Sequence, residues 1–215
     1  MHFELTTQDY LDYIECIKKT IAENKEYVSG LDAATGDGDH WVNINMGFEK
    51  LIEHKSDLLA LDIASLFKQI GTLMMSTIGG ASGVLYGSAY LGGAKALKGQ
   101  LVLDDSNLCA VLSGMCTAIM ERGQSAPGYK TMVDAIYPAV EAYKQGLAAG
   151  MDTQTLLKKV RRASIDGAAA TKDMEAVRGR AYYQANKGVG HVDPGAVTMS
   201  YQISGLMDFI LKNKF

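Results

Sequence analysis

Three carboxylates fall within one short stretch of this chain, Asp32-Ala33-Ala34-Thr35-Gly36-Asp37-Gly38-Asp39-His40, with no Lys or Arg among them. Crowded anions repel, and a cation is the usual remedy. Oxygen-only donors favour a hard ion, Mg2+ before Ca2+ or Mn2+. The calcium-hand pattern fails, because the twelfth residue counted from Asp37 is Phe48 where a Glu is required. Asp in such stretches also serves as helix cap and turn former. The third Asp, the two Gly spacers and the following His40 and Asn43 tilt the reading toward a metal site.

Further stretches carry chemistry. Gly79-Gly80-Ala81-Ser82-Gly83 lies between two helical patterns, so its later amides open a helix. Free amides at a helix N-terminus bind phosphate, and glycine lets a ligand come close to the backbone. The Gly-Lys-Ser/Thr ending of the common phosphate loop is missing, and close helix packing explains the small residues equally well. Arg122 to Asp134 begins as a loop and turns helical at Thr131. Arg178-Gly179-Arg180-Ala181-Tyr182-Tyr183 leads into Gly188 to Ala196. There Asp193-Pro194 reads as a helix start, a carboxylate cap followed by proline at the first helical position. His191 reads as a hydrogen-bonded loop histidine.

Eight helices must position these stretches. Thr6 or Thr7 caps the first, with Tyr10, Ile14, Ile17 and Ile21 as its stripe and Gly30 as its end. The second starts near His40 or Asn43 and ends near His54. The third runs from Leu58 to Ile78, capped at Ser56, Asp57 or Asp62. The fourth spans Val84 to Leu97, with Gly92, Gly93 and Ala94 suited to close contact. The fifth runs from Leu108 to Met120, capped by Asp104 or Asp105. The sixth continues through Ile136 to Ala148. The seventh spans Leu156 to Met174, capped by Asp152 or Thr153, and the eighth runs from Asp193 to Lys212. No alternating strand is expected. This predicts an all-α, up-and-down antiparallel bundle or barrel. The informative loops all follow odd-numbered helices, so they meet at one end.

The chain has 215 residues, 47% of them hydrophobic, and a net charge of -3. We read it as one domain over 1–215, with no linker, repeat or low-complexity tract. Scattered Lys and Arg speak against nucleic acid and anionic membranes as partners. No apolar run reaches membrane-spanning length, and Met1-His2-Phe3-Glu4 lacks the regions of a signal peptide. Cys16, Cys109 and Cys116 read as buried thiols of a reducing compartment. The expected location is the cytoplasm.

Taken together, the stretches Leu31-Asp32 with Gly36 to His40, Gly79 to Gly83, Lys130-Thr131-Met132-Val133-Asp134, Arg178 to Ala181 and Gly190-His191 with Asp193-Pro194-Gly195 resemble the L subunit of dihydroxyacetone kinase. The equivalent domain of the single-chain enzyme is similar too. The resemblance covers nearly the whole chain. It implies an eight-helix barrel with ADP or ATP at one end, and two Mg2+ ions on Asp32, Asp37 and Asp39. It places His40, Trp41, Val42, Asn43, Ala81, Ser82, Gly123, Met132, Arg180, Asp193, Pro194 and Gly195 against the nucleotide, with Arg180 also catalytic. It implies a partner too, a K-type subunit whose own histidine holds the ketose, so no residue here is the substrate's nucleophile. In one branch of the family a phosphohistidine protein of the sugar phosphotransferase system rephosphorylates bound ADP. In the other, ATP exchanges. A chain of this length with no fused K domain favours the first branch. A non-catalytic nucleotide sensor of a transcription regulator is the reading from a different class, and a homodimer is left open. Departures from the family pattern cluster at the rim: Trp41 for Gly, Met46 for Arg, Val84 for Pro, Tyr129 for an acidic residue, and Gln184 to Lys187 for Gly-Glu-Arg. Trp41 is expected either to fill a gap against the second helix or to narrow the mouth of the site.

Overall fold

The computed structural model describes residues 2–215; Met1 lies outside the described residues. Helices are α1 Thr7–Glu23, α2 Lys25–Thr35, α3 His40–Glu53, α4 Lys55–Leu59, α5 Ile63–Thr77, α6 Gly80–Ala96, α7 Leu108–Gly123, α8 Val133–Ala148, α9 Thr153–Ala170 and α10 Pro194–Asn213. The long helices close a ring. α1 packs on α3, α3 on α5, and each later helix on the next through α10, which returns to α1. The all-α up-and-down expectation therefore holds, with α2 and α4 added as short insertions.

Several starts are set by local chemistry that the sequence announces. Thr6 and Asp9 cap each other's backbone amides in a capping box at α1. Asp62 accepts from the Ser65 amide at α5, Asp152 from Thr155 at α9, and Asp193 from Ala196 at α10. Four boundaries depart from expectation. The first helix breaks at Asn24, and α2 then carries Asp32 to Thr35 inside a helix rather than a loop. The third divides into α4 and α5, because the Asp62 cap starts a new helix. The seventh ends at Ala170 and tightens into a 3-10 turn, Thr171–Asp173. Asn107 rather than Asp104 or Asp105 stands at the N-cap of α7, while Asp104 accepts from the Ser106 and Asn107 amides one turn earlier. A two-residue antiparallel pair, β1 Glu4–Leu5 with β2 Leu103–Asp104, was not expected. It is too short to show any alternation.

The core runs through the ring. Tyr10 packs edge-on to Tyr13 at 5.1 Å between ring centroids and lies 4.6 Å from Phe67, which in turn meets Tyr90 at 5.5 Å. Glycines set how close α6 comes to its neighbours. A Cβ on Gly92 would lie 2.3 Å from the Gly114 carbonyl oxygen of α7, and one on Gly87 2.8 Å from the Gly71 oxygen of α5. The thiols depart from expectation: Cys116 is buried, Cys109 only partly, and Cys16 is exposed; all three are free. No helix among the described residues is long and apolar enough to cross a membrane.

The backbone contact at Gly92 cannot yield as a side chain would. Gly92→Val should therefore lower stability by about 1–3 kcal/mol while leaving the helical circular dichroism intact. A thermal melt unchanged by the substitution would show that α6 and α7 have room to part.

Candidate active site

Four connections meet at one end of the ring: Gly36–Asp39 after α2, Ile78–Gly79 after α5, Gln124–Met132 after α7, and Thr171–Asp193 after α9. They line one cavity of about 550 Å³. Asp32, Asp37, Asp39, His40, Asn43, Ala81, Ser82, Gly123, Met132, Arg180, Asp193, Pro194 and Gly195 all face it. The common-end placement of the loops is thus realised.

Oxygens of Asp32, Asp37 and Asp39 lie within 4.8 Å of one another. Asp32 is buried in the last turn of α2, and the other two are exposed in the loop. The Asp32 carboxylate accepts the His40 amide at 2.9 Å, which ties the end of α2 to the start of α3. The chain then passes directly over that carboxylate. A Cβ on Gly36 would sit 2.2 Å from Asp32 Oδ1, so any larger residue would displace that carboxylate. Gly38 adopts φ 80°, the left-handed turn that brings Asp39 back beside its partners. An all-oxygen donor set on so tight a turn suits a hard divalent cation.

Two kinds of positive group face these anions. Arg180 contacts Asp37 at 2.5 Å, its side chain otherwise open to solvent. The N-terminus of α6 opens at Gly79 without a side-chain cap, which leaves its first amides for an anion. His40 joins this helix to the core. One ring nitrogen lies 2.8 Å from Thr198 Oγ1 and the other 3.3 Å from Ser82 Oγ, and Tyr86 also meets Thr198 at 2.8 Å. Burial holds the His40 pKa below its usual range, against the opposing pull of Asp32 and Asp39. The neutral ring is therefore a hydrogen-bonding strut.

Trp41 and Val42 do not line the cavity. Successive helical residues turn by about 100°, so His40 and Asn43 share the inward face while 41 and 42 point elsewhere. The Trp41 indole donates to the Ile21 carbonyl at 2.8 Å and lies under the Lys25 ammonium, 5.0 Å from its ring centre. It fills the α1–α2 junction rather than narrowing the mouth. Val42 is exposed. Of the other departures, Val84 lines the cavity, Met46 is exposed, and Gln184 donates to the Ala34 carbonyl at 2.8 Å.

The structure adds residues that sequence reading left without a role. Thr35, Ser125, Lys130 and Arg178 also line the cavity. Asp134 braces the loop before α8, accepting the Gly128 amide at 2.5 Å and the Thr131 amide at 2.8 Å. Lys130 and Arg178 stood inside quoted motifs, which was a signal. Thr198 sits a full turn inside α10, where nothing in the sequence singled it out.

Asp193 yields a test. Burial pushes its carboxyl up to about 7, with Asp134 and Asp32 adding to the shift and the Ala196 amide and Lys130 opposing it. In the unfolded chain it titrates near ~4. The folded state thus holds the extra proton between those values, and stability falls as pH rises through that window. Without metal, Asp193→Asn should melt progressively higher relative to the parent between about pH 5 and about pH 7, then level off. Parallel melting curves across that range would show that Asp193 stays ionised.

Comparison with known proteins identifies the relatives. Residues 34–208 match the DAK2 domain. The chain is 36% identical over 186 residues to the "PEP-dependent dihydroxyacetone kinase 1, ADP-binding subunit DhaL" of Listeria innocua, covering 86% of this chain and 88% of that one. It is 34% identical over 207 residues to the "PTS-dependent dihydroxyacetone kinase, ADP-binding subunit DhaL" of Lactococcus lactis, covering 96% and 99%. The fold matches the dihydroxyacetone kinase of C. freundii, crystallised with AMP-PNP and Mg2+, at a TM-score of 0.70 and 24% identity over 92% of this chain. This chain spans about a third of that longer one, 33% of its length. By its sequence and its helical ring, the chain belongs to the DAK2-domain family, that of the dihydroxyacetone kinase L subunits.

Proposed function

We propose that the chain is the nucleotide-holding subunit of a dihydroxyacetone-type kinase. In this reading ADP or ATP occupies the 550 Å³ cavity with two Mg2+ ions on Asp32, Asp37 and Asp39. One observation carries it: a three-carboxylate cluster, an uncapped helix N-terminus and a guanidinium converge on one cavity. Phosphoryl transfer demands this mixture, because positioning and charge neutralisation matter more than covalent chemistry. When held by Asp32, Asp37 and Asp39, the ions would neutralise phosphate charge.

The residues divide the remaining work. The first amides of α6, with the dipole behind them, take phosphate oxygens. Gly123, Met132 and the Asp193-Pro194-Gly195 turn form the walls of the cavity. In this reading Arg180, which pairs with Asp37, meets the terminal phosphate as charge shifts during transfer. The bond from the terminal phosphorus to the leaving nucleotide oxygen breaks as one forms to the acceptor oxygen, whose proton passes to solvent or to a base on the partner. That acceptor, a small ketose, arrives on a separate K-type subunit. The open mouth beside the exposed Arg180 supports access by such a partner. The relatives named for dependence on PEP or the PTS support a phosphohistidine protein as the donor that recharges ADP in place. Mass analysis of co-purified nucleotide tests that branch: retained ADP supports it, and an empty site that exchanges ATP favours the ATP-using branch.

Two measurements test the core of the proposal. Calorimetry with Asp37→Ala, or with chelator, should show ADP affinity reduced about 100-fold or more, as expected for loss of a metal ligand. Equal affinity in both conditions would remove the metal from the site. Transfer assayed with a K-type subunit should fall roughly 100- to 1000-fold in Arg180→Ala, while ADP binding changes by less than about tenfold. Equal losses would make Arg180 a binding residue only, and no transfer by the parent would favour a nucleotide sensor.

A further inference from the structure

Lys130 is almost wholly buried, at 1% exposure, and its backbone is left-handed at φ 59°. Lysine is rarely found in either situation, and the left-handed one is disfavoured for any side chain with a Cβ. No carboxylate forms an ion pair with it among the described residues. Its ammonium instead donates to two main-chain carbonyls, that of Thr171 at 2.5 Å and that of His191. These two residues are far apart in sequence and lie near the two ends of one excursion, the connection Thr171–Asp193 from α9 to α10.

That connection is a closed loop with a narrow neck. Thr171, itself fully buried, accepts the Asp193 amide on its hydroxyl at 2.9 Å, and the Gly190 amide donates to the Lys172 carbonyl at 2.8 Å. Lys130 reaches in from outside the loop, from the turn before α8, and holds both sides of the neck. Its stem also supports the body of the loop. A Cβ on Gly188 would lie 3.0 Å from Lys130 Cε and 3.0 Å from Ala181 Cβ. Ala181 is the buried neighbour of Arg180. The rest of the loop is held by thinner ties: Val177 N–H to the Tyr129 carbonyl at 3.2 Å, Arg178 to the Gln124 carbonyl at 3.0 Å, and Gln184 to Ala34.

We propose that Lys130 is a positioning residue that acts through Arg180. Its ammonium clasps the neck of the 172–192 loop, and its stem supports the segment that aims the Arg180 guanidinium at the acidic cluster. The mobile ammonium of an ordinary surface lysine would not serve, because a clasp must be immobilised. Burial against two carbonyls and the fixed left-handed backbone achieve that. Burial lowers the pKa of the Lys130 ammonium, with Asp193, Asp173 and Asp134 opposing the shift, so the clasp stands on its two carbonyl contacts and not on an ion pair. The mechanistic part rests on the reading of Arg180 given above, whereas the structural part does not.

The test uses the full chain and two independent readouts. Lys130→Met keeps the stem and removes the clasp. Limited trypsin digestion should then cut after Lys172, Arg178, Arg180 or Lys187 about tenfold faster, reflecting local opening, while cleavage elsewhere keeps its parent rate. Thr171→Val removes only the hydroxyl of the neck and should raise the same cuts by a smaller factor, so the proposal remains testable if Lys130→Met folds poorly. In the transfer assay, Lys130→Met should lower the rate roughly 10- to 100-fold with little change in ADP affinity. In an Arg180→Ala background it should add almost nothing, because the two act in one chain of cause. Unchanged digestion of the loop in both variants would overturn the clasp, whatever the activity. Faster digestion with the full rate penalty retained in the Arg180→Ala background would overturn the action through Arg180. Failure of the parent to transfer phosphate would count against the kinase reading alone, since proteolysis still decides the clasp.

Discussion

Holding three carboxylates together is the constraint on which this end of the molecule depends. Their oxygens lie within 4.8 Å of one another, and like charges at that separation repel unless something compensates. The protein supplies partial answers. The His40 amide takes one oxygen of Asp32, and the Arg180 guanidinium pairs with Asp37. Each answer comes from a different element, so the cluster draws α2, α3 and the α9–α10 connection together. A divalent ion completes the compensation in the proposed nucleotide complex.

The anchoring behind the cluster is uncharged. His40 spans from the α6 amide end, through Ser82, to Thr198 on α10, and Tyr86 reaches the same hydroxyl. Burial keeps the imidazole neutral, so the strut adds no further ionic term near the acids. The network is a chain of satisfied polar groups in a buried setting, where an unsatisfied one would be costly. It links the start of α3, beside the acidic turn, to the uncapped N-terminal end of α6.

Packing is distributed unevenly around the cavity. The acidic turn and the α6 N-terminus sit on helices locked by close glycine contacts and a dense aromatic core. Arg180 sits on a long surface excursion whose exposed tyrosines, Tyr182 and Tyr183, pack on each other with ring centroids 5.4 Å apart. At the base of that excursion the buried Lys130 donates to the Thr171 and His191 carbonyls.

Much of this was legible in the residues. Periodicity and caps at Thr6, Asp62, Asp152 and Asp193 announce the helices, because caps and stripes are local chemistry. Counting helices places the informative loops at one end, since antiparallel neighbours joined by short links alternate direction. Asp32, Asp37 and Asp39 were visible as a cluster because they are adjacent in the chain. What the sequence could not decide depends on direction and distance in space. Trp41 follows His40 by one residue, yet helical rotation turns it onto the Ile21 carbonyl and away from the cavity. The continuation of α2 through Asp32 was hidden because Gly30 reads as a helix stop, although Leu31, Ala33 and Ala34 favour helix and α2 runs on to Thr35. Thr198 and Lys130 take their roles from partners 158 residues away at His40 and 41 and 61 residues away at Thr171 and His191. Only the closure of the ring brings such groups together, and a pattern read along the chain carries no measure of that approach.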